Sequence, residues 1–141
     1  MVLEIAAAII GILAAAGKVA EILDPIVSTF KDANRNIVAV LTEVNSSRII
    51  LSALQVYLED LSASPHGRRE LIKVNQLAAT VMDGVLLFSE LEELVLPFAR
   101  PALSLQSRIN WAWNDDKFAT LVSRVQNFKS SITVMLNILQ W

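Results

Sequence analysis

The feature that most constrains the fold is the amino-terminal segment of residues 2–23, which reads VLEIAAAIIGILAAAGKVAEIL. Residues 5–17 carry no charged or polar side chain, and their apolar residues occupy every side of a helix rather than one stripe. A helix that is apolar all round lies either in a protein core or in a membrane. Two roles follow for this segment: it is a permanent part of the core, or it can also leave the core and enter a membrane.

Charge placement argues against an export signal and a permanent anchor. A secretory signal begins with a basic region, whereas here Glu4 precedes the apolar run and the first lysine is Lys18. A transmembrane helix needs about 20 apolar residues, and the uncharged run has 13. Extending the run to residue 23 brings in Lys18 and Glu21.

The composition favours one helical domain over residues 1–141. The chain is 54% apolar and has only four glycines and four prolines, which leaves little material for the turns of a many-stranded β fold. The net charge of −2 and the lack of a basic stripe with interleaved aromatics argue against nucleic-acid binding. Because there is no cysteine, the chain has no disulfide framework and no thiolate metal site.

Apolar residues at 3-4 spacing predict an all-α, antiparallel helical bundle. We expect four long helices over about residues 2–30, 36–61, 68–96 and 115–140, plus a short helix over about residues 103–113. The repeat in the second helix is interrupted once, near Ser47-Arg48. The expected core positions of the last three long helices are Ile37, Leu41, Val44, Leu51, Leu54, Leu58 and Leu61; Leu71, Val74, Ala78, Val81, Val85, Phe88 and Val95; and Phe118, Leu121, Val125, Phe128, Ile132, Met135 and Leu139. In the third helix, Leu77, Leu87, Leu91 and Leu94 widen the apolar stripe.

Proline and glycine mark the boundaries of these helices. Pro25 cannot donate a backbone hydrogen bond to residue 21, so the first helix should break or kink there. Alternatively, Asp24 caps a short second piece with Pro25 at its first position. The stretches SASPHG (62–67) and PFARPALS (97–104) are predicted to be loops.

No group of residues typical of catalysis is present. The only histidine, His66, lies in a polar loop without convergent partners, so we expect it to be solvated. Glu90, Glu92 and Glu93 share one helical turn, but no nucleophile, histidine or glycine-rich phosphate loop accompanies them. The sequence therefore predicts a protein that is not an enzyme, with no cofactor, metal or small-molecule substrate.

Two tryptophans are candidates for a protein interface. Trp111 and Trp113 lie two residues apart and cannot share one helix face, so one should be buried while the other can anchor a partner. The alternative is that both pack in the core or at its rim. The acidic turn of Glu90, Glu92 and Glu93 is either a solvated face or a second interface candidate.

Several short motifs together resemble a known family. Residues 108–139 read RINWAWNDDKFATLVSRVQNFKSSITVMLNIL, with paired tryptophans, an acidic-basic turn, an amphipathic helix and a Lys-Ser-Ser turn before leucine-rich residues. Upstream lie FSELEEL (88–94) and AAAGKVAEIL (14–23). In order and spacing, over essentially the whole chain, these motifs resemble the fungal HeLo-like N-terminal domain, which precedes STAND-type nucleotide-binding receptors, ankyrin arrays and related effectors.

The resemblance implies both a fold and a function. The fold would be a helical bundle related to the HeLo domain of fungal heterokaryon-incompatibility proteins. It would also be similar to the four-helix bundle of the mixed-lineage-kinase-like pseudokinase of animal necroptosis. The function would be programmed cell death in fungal innate immunity, executed by a cytoplasmic domain that moves to the plasma membrane. An upstream NLR/STAND receptor or amyloid-signalling partner would oligomerise the domain. Its N-terminal helix would then bind membrane lipids and permeabilise the membrane.

Carried onto this sequence, the resemblance implies a set of membrane-targeting residues near the N-terminus: Val2, Leu3, Glu4, Ile5, Ile9, Ile10, Gly11, Ile12 and Leu13. Glu4 departs from a purely apolar tip and must reach the interface or a water-filled lumen, because a charge costs at least ~2.5 kcal/mol at the bilayer centre. We expect the first helix to be mostly covered by other helices in the soluble fold, with Glu4 at the end that is exposed to water.

The alternative function is a rigid signalling or oligomerisation module without membrane activity. The first helix would then be ordinary core, and the tryptophans or the acidic turn would bind a partner or a second copy.

Overall fold

A computed structural model describes residues 2–29, 35–62, 71–96 and 115–140 of the chain. These residues form four helices and no strand: α1 (Val2–Thr29), α2 (Arg35–Ser62), α3 (Leu71–Val95) and α4 (Asp115–Gln140). The predicted all-α bundle of four long helices is therefore confirmed. The start predicted for the third helix at residue 68, the short helix over 103–113, the loop 97–104 and most of the loop 62–67 lie outside the described residues.

The four helices pack at the corners of a square, so that each helix contacts two neighbours. α1 contacts α2 and α3, and α4 contacts the same two helices, so α1 and α4 occupy diagonal corners. α3 and α4 are antiparallel, because Gly84 of α3 lies at Phe128 whereas Glu90, further along α3, pairs with Arg124, earlier in α4. α1 and α2 also form an antiparallel pair, since only residues 30–34 separate two long helices in extensive contact.

The core is built from the predicted apolar stripes. All the expected positions of α2 and α4 whose side chains are described are buried, except Met135, which is half-buried. The interruption in the α2 pattern is Ser47, which is itself buried at a core position and whose hydroxyl has no hydrogen-bond partner. The gap in the repeat therefore marks a polar residue inside the core and does not end the helix.

α1 continues through Pro25 to its end at Thr29. A break at this proline, and the alternative of a separate piece capped by Asp24, are therefore wrong, whereas a kink at Pro25 stays a prediction. Leu23 is buried and Ile26 packs against the core, so packing on both sides of Pro25 offsets the missing hydrogen bond. The Ser28 hydroxyl donates to the carbonyl oxygen of Asp24 at 3.0 Å, within the last turns of the helix.

Three helices approach closely at Gly84. A Cβ atom on Gly84 would lie 2.7 Å from Cζ of Phe128 in α4 and 3.1 Å from Cδ1 of Ile12 in α1. The Phe128 ring also meets Phe88 edge-on, with 5.7 Å between ring centroids. The missing side chain of Gly84 therefore lets an aromatic ring of α4 lie directly against the backbone of α3.

Candidate membrane-targeting helix

One face of α1 is part of the bundle core. Among the predicted membrane-targeting residues, Ile5, Ile9 and Ile12 are buried and Leu13 is half-buried. The full buried face consists of Ile5, Ile9, Ile12, Ala16, Val19, Ala20 and Leu23. Apart from the neighbours Val19 and Ala20, these residues recur at intervals of three and four, so they form a single stripe along the helix.

The opposite face of α1 is exposed and remains apolar over its first half. It is formed by small or branched residues only, namely Ala7, Ile10, Gly11 and Ala14. The side chain of Ile10 is 55% exposed, and a Cβ atom on Gly11 would meet no atom within 4 Å. The nearest charges on this face are Glu4 before it and Lys18 after it, and both are exposed.

The predictions for α1 have mixed outcomes. Glu4 is exposed, as predicted for a residue at the wet end of the helix. Coverage of α1 is one-sided: 33% of its most apolar window, within Glu4–Ser28, is buried, and further residues such as Leu13 and Ile22 are half-buried against the core. Two neighbouring helices cover one side of α1 and leave the other open. The side chains of Val2 and Leu3 lie outside the described part of the structure.

Over the side chains that the structure describes, apolar packing holds α1 against the bundle. Among the side chains described between Glu4 and Ser28, none makes a hydrogen bond or ion pair with another helix. The two side-chain hydrogen bonds of α1 among its described side chains both start at Ser28 and end within the same helix. Such an attachment weakens where lipid replaces water, because lipid tails are as apolar as the core.

Polar side chains join the other three helices to one another. Lys129 Nζ of α4 lies 2.7 Å from Oε2 of Glu43 in α2, and Gln126 Nε2 donates to Oε1 of the same carboxylate at 3.2 Å. On the other side of α4, Arg124 pairs with Glu90 of α3. α4 is therefore linked by charge to both of its neighbours, and none of these contacts involves α1.

The environment of Glu43 lowers the pKa of its carboxyl group. Burial is the largest single influence and raises the pKa, but the hydrogen bonds from Lys129 and Gln126 and the Lys129 charge together outweigh it. Glu43 is therefore held in its ionised form at the α2–α4 boundary. We call Glu43, Gln126 and Lys129 the α2–α4 polar cluster.

Replacing Lys129 by alanine should destabilise the protein by about 1–3 kcal/mol, because the Glu43 side chain is only 14% exposed and would lose its charged partner. Arg124→Ala is the matched control on the same helix and should cost at most about 1 kcal/mol, since both side chains of that ion pair are exposed. Urea unfolding measures both variants, and equal losses would contradict the prediction.

Because the folded-state pKa of Glu43 is lowered, its stabilisation is present above the unfolded pKa and disappears as pH falls through the folded pKa. The Lys129→Ala loss should shrink in the same acidic range.

The acidic turn divides between two environments. Glu90 and Glu93 are exposed and line a groove of about 500 Å³ between α3 and α4, together with Lys117 and Arg124. Glu92 is half-buried and does not line this groove.

Within the four described segments, no group of three or more His, Asp or Glu side chains could hold a metal ion. The other interface candidates, Trp111 and Trp113, lie outside the described residues, as does His66.

Sequence reasoning missed a second helix with membrane-like hydropathy. Both α1 (over Glu4–Ser28, mean hydropathy 1.9) and α2 (over Arg35–Asp60, 1.5) are long and apolar enough to cross a bilayer. A buried core helix passes the same test, so length and composition alone do not assign either helix to a membrane. The two differ in attachment, because α2 contributes Glu43 to the α2–α4 polar cluster.

Comparison with models of known protein families, with curated proteins and with solved structures gave no match.

Proposed function

We propose that this chain is a regulated cell-death domain whose first helix leaves the bundle on self-association and permeabilises a membrane. The observation that carries the proposal is the attachment of α1: one apolar face packs in the core, an apolar face is exposed, and no described polar contact joins it to another helix. The resemblance to the fungal HeLo-like domain supplies the biological setting. It suggests a receptor of the NLR/STAND class or an amyloid-signalling partner upstream, and the plasma membrane as the target.

The energetics favour a conditional release of α1. Moving α1 into water would expose Ile5, Ile9 and Ile12, and each buried side chain of this size contributes about 1.5–3 kcal/mol. Moving the same helix into lipid keeps those side chains in an apolar medium and also covers Ile10, which water now contacts. The soluble bundle is therefore stable on its own, while nearby lipid reduces the cost of release.

The three remaining helices can stay together when α1 leaves. α4 contacts both α2 and α3 and is bound to each by the ion pairs described above. α1 is joined to this unit through its C-terminal end only, by residues 30–34. The bundle thus divides into a releasable helix and a three-helix body.

Helix length sets how α1 would lie in a bilayer. The uncharged residues 5–17 span about 20 Å at ~1.5 Å per residue, which is less than the ~30 Å hydrocarbon core. Lys18 can extend its charged end towards the headgroups, but Glu4 must reach water at the other end. We therefore propose that several copies insert together and that Glu4 faces an interface or a water-filled lumen.

Dye release from liposomes tests the proposal. The protein, clustered through a fused trimeric coiled coil, should release dye, and a clustered variant lacking residues 1–23 should not. Circular dichroism must show that the variant keeps its other helices, because the deletion also removes core residues. No release by the clustered full chain, or full release by the deletion variant, would disprove membrane permeabilisation by α1.

A rigid signalling module is the competing function, and the burial of Ile5, Ile9 and Ile12 favours it. Hydrogen exchange separates the two functions. If clustering with liposomes leaves the amides of residues 5–16 as protected as in solution, α1 is a fixed core helix. Membrane activity requires that lipid and clustering together change this protection.

A further inference from the structure

The exposed side of α2 carries a second 3-4 repeat. While one face of this helix enters the core, eight exposed residues follow one another at intervals that alternate strictly between three and four. We call this row the α2 seam; its members are Arg35, Val38, Thr42, Asn45, Ile49, Ser52, Val56 and Glu59. Alternating spacing of this kind is the pattern by which one helix packs along another.

The α2 seam contains three large apolar side chains that are exposed to solvent. Ile49 is 73% exposed and Val56 is 58% exposed, and Val38 also lies among the exposed large hydrophobic residues. The positions between them are short and polar, namely Thr42, Asn45 and Ser52. No long charged side chain interrupts the seam between its two ends.

We propose that the α2 seam is a self-association surface that seats the α2 seam of a second copy in antiparallel orientation. The intervals between seam residues are the same in both chain directions. A two-fold axis that passes beside residue 47 therefore places each seam residue opposite a seam residue of the second copy. Val38 then faces Val56 of the second copy, Thr42 faces Ser52, and Ile49 lies next to the two-fold axis. An isologous contact of this kind closes as a dimer.

The charges at the two ends of the α2 seam select this orientation. Arg35 stands at the N-terminal end, and Glu59 stands at the C-terminal end with Asp60 beside it. In the antiparallel arrangement each Arg35 faces the acidic end of the other copy. A parallel arrangement would place Arg35 against Arg35 and Glu59 against Glu59, which is repulsive at both ends.

The α2 seam lies beside the helix that is proposed to move. Asn45 of the seam and Arg48 line a groove of about 380 Å³ together with Gly17, Glu21 and Asp24 of α1. A second copy on the seam would therefore sit next to the exposed side of α1. The dimer would be one contact within the self-association of several copies that the proposed function requires, and only this role of the dimer rests on that function.

Association of the full chain is measured by sedimentation equilibrium without lipid. The protein should form a concentration-dependent dimer, and Ile49→Asp should weaken dimer formation at least about tenfold. Leu86→Asp on α3 is the matched control, because Leu86 is 65% exposed and lies outside the seam, and it should leave the dimer unchanged. A chain that stays monomeric throughout, or equal weakening by both variants, would overturn the proposal.

Charge exchange and cross-linking test the orientation. Arg35→Glu should weaken the dimer, and the double variant Arg35→Glu/Glu59→Arg should restore it, provided that circular dichroism shows an unchanged fold. Because the chain has no cysteine, a mixture of Val38→Cys and Val56→Cys chains should form a disulfide between the two variants. Val38→Cys chains that cross-link mainly to themselves would show a parallel contact and overturn the antiparallel seam. Since these measurements use no membrane, a failed dimer and a failed dye release are separate results.

Discussion

Ile10→Asp should leave the bundle folded and reduce dye release from liposomes by clustered protein at least about 50-fold. Ile10 is 55% exposed, so an aspartate there contacts water and removes no core packing. In the released helix the same position lies within the uncharged run of residues 5–17, where a carboxylate costs at least ~2.5 kcal/mol near the bilayer centre. A free-energy difference of this size corresponds to a factor of about 70 in partitioning, before the lost apolar contact is counted.

The control for Ile10→Asp is Met82→Asp on α3. Met82 is 56% exposed, so the two substitutions add the same charge at equally exposed apolar positions. Met82→Asp should release dye like the unmodified protein, because in the proposed mechanism α3 stays in the three-helix body. If Ile10→Asp also releases dye normally, the exposed face of α1 does not enter lipid. If both variants lose activity alike, the added charge acts on the whole protein rather than on α1.

The sequence predicts the buried sides of α2, α3 and α4 because each of them alternates between apolar and polar faces. In α4, for instance, Phe118, Leu121 and Val125 follow the 3-4 spacing and are all buried. Residues 5–17 of α1 have no such contrast, because none of them is polar. Ile9 and Ile10 are adjacent and identical in type, yet Ile9 is buried and Ile10 is exposed. Which side of an all-round apolar helix is covered depends on where its neighbours lie, and the periodicity of the helix itself does not contain that information.

The contacts between helices were also beyond the reach of sequence patterns. Glu43 and Lys129 are distant in the chain, and nothing in either local sequence identifies the other as its partner. The same applies to the α2 seam, because its exposed repeat is recognisable only once the core side of α2 is known. The interruption at Ser47 was visible in the sequence, but its cause, a serine at a core position, was not.

Gly84 and Gly11 illustrate this limit, since both are glycines within apolar helices and only the structure distinguishes their surroundings. Replacing Gly11 by alanine should stabilise the protein by about 0.5–1 kcal/mol, because a helical glycine carries that penalty and the new methyl group meets no atom within 4 Å. The same substitution at Gly84 should destabilise the protein by about 1–2 kcal/mol, since overpacking outweighs the gain in helix propensity. Urea unfolding of the two variants should therefore give free-energy changes of opposite sign.

The physical cause at Gly84 is the Phe128 ring. A methyl group there would lie 2.7 Å from Cζ of that ring, which cannot move aside freely because it is nearly buried and packs edge-on against Phe88. Phe128→Leu should destabilise the unmodified protein by leaving a cavity, but in the Gly84→Ala background it should cost markedly less, because the smaller side chain makes room for the methyl group. Additive losses in this double-mutant cycle would show that the two residues do not compete for the same space. A favourable coupling would show that α3 and α4 approach each other most closely at Gly84. This contact lies within the three-helix body from which α1 is proposed to separate.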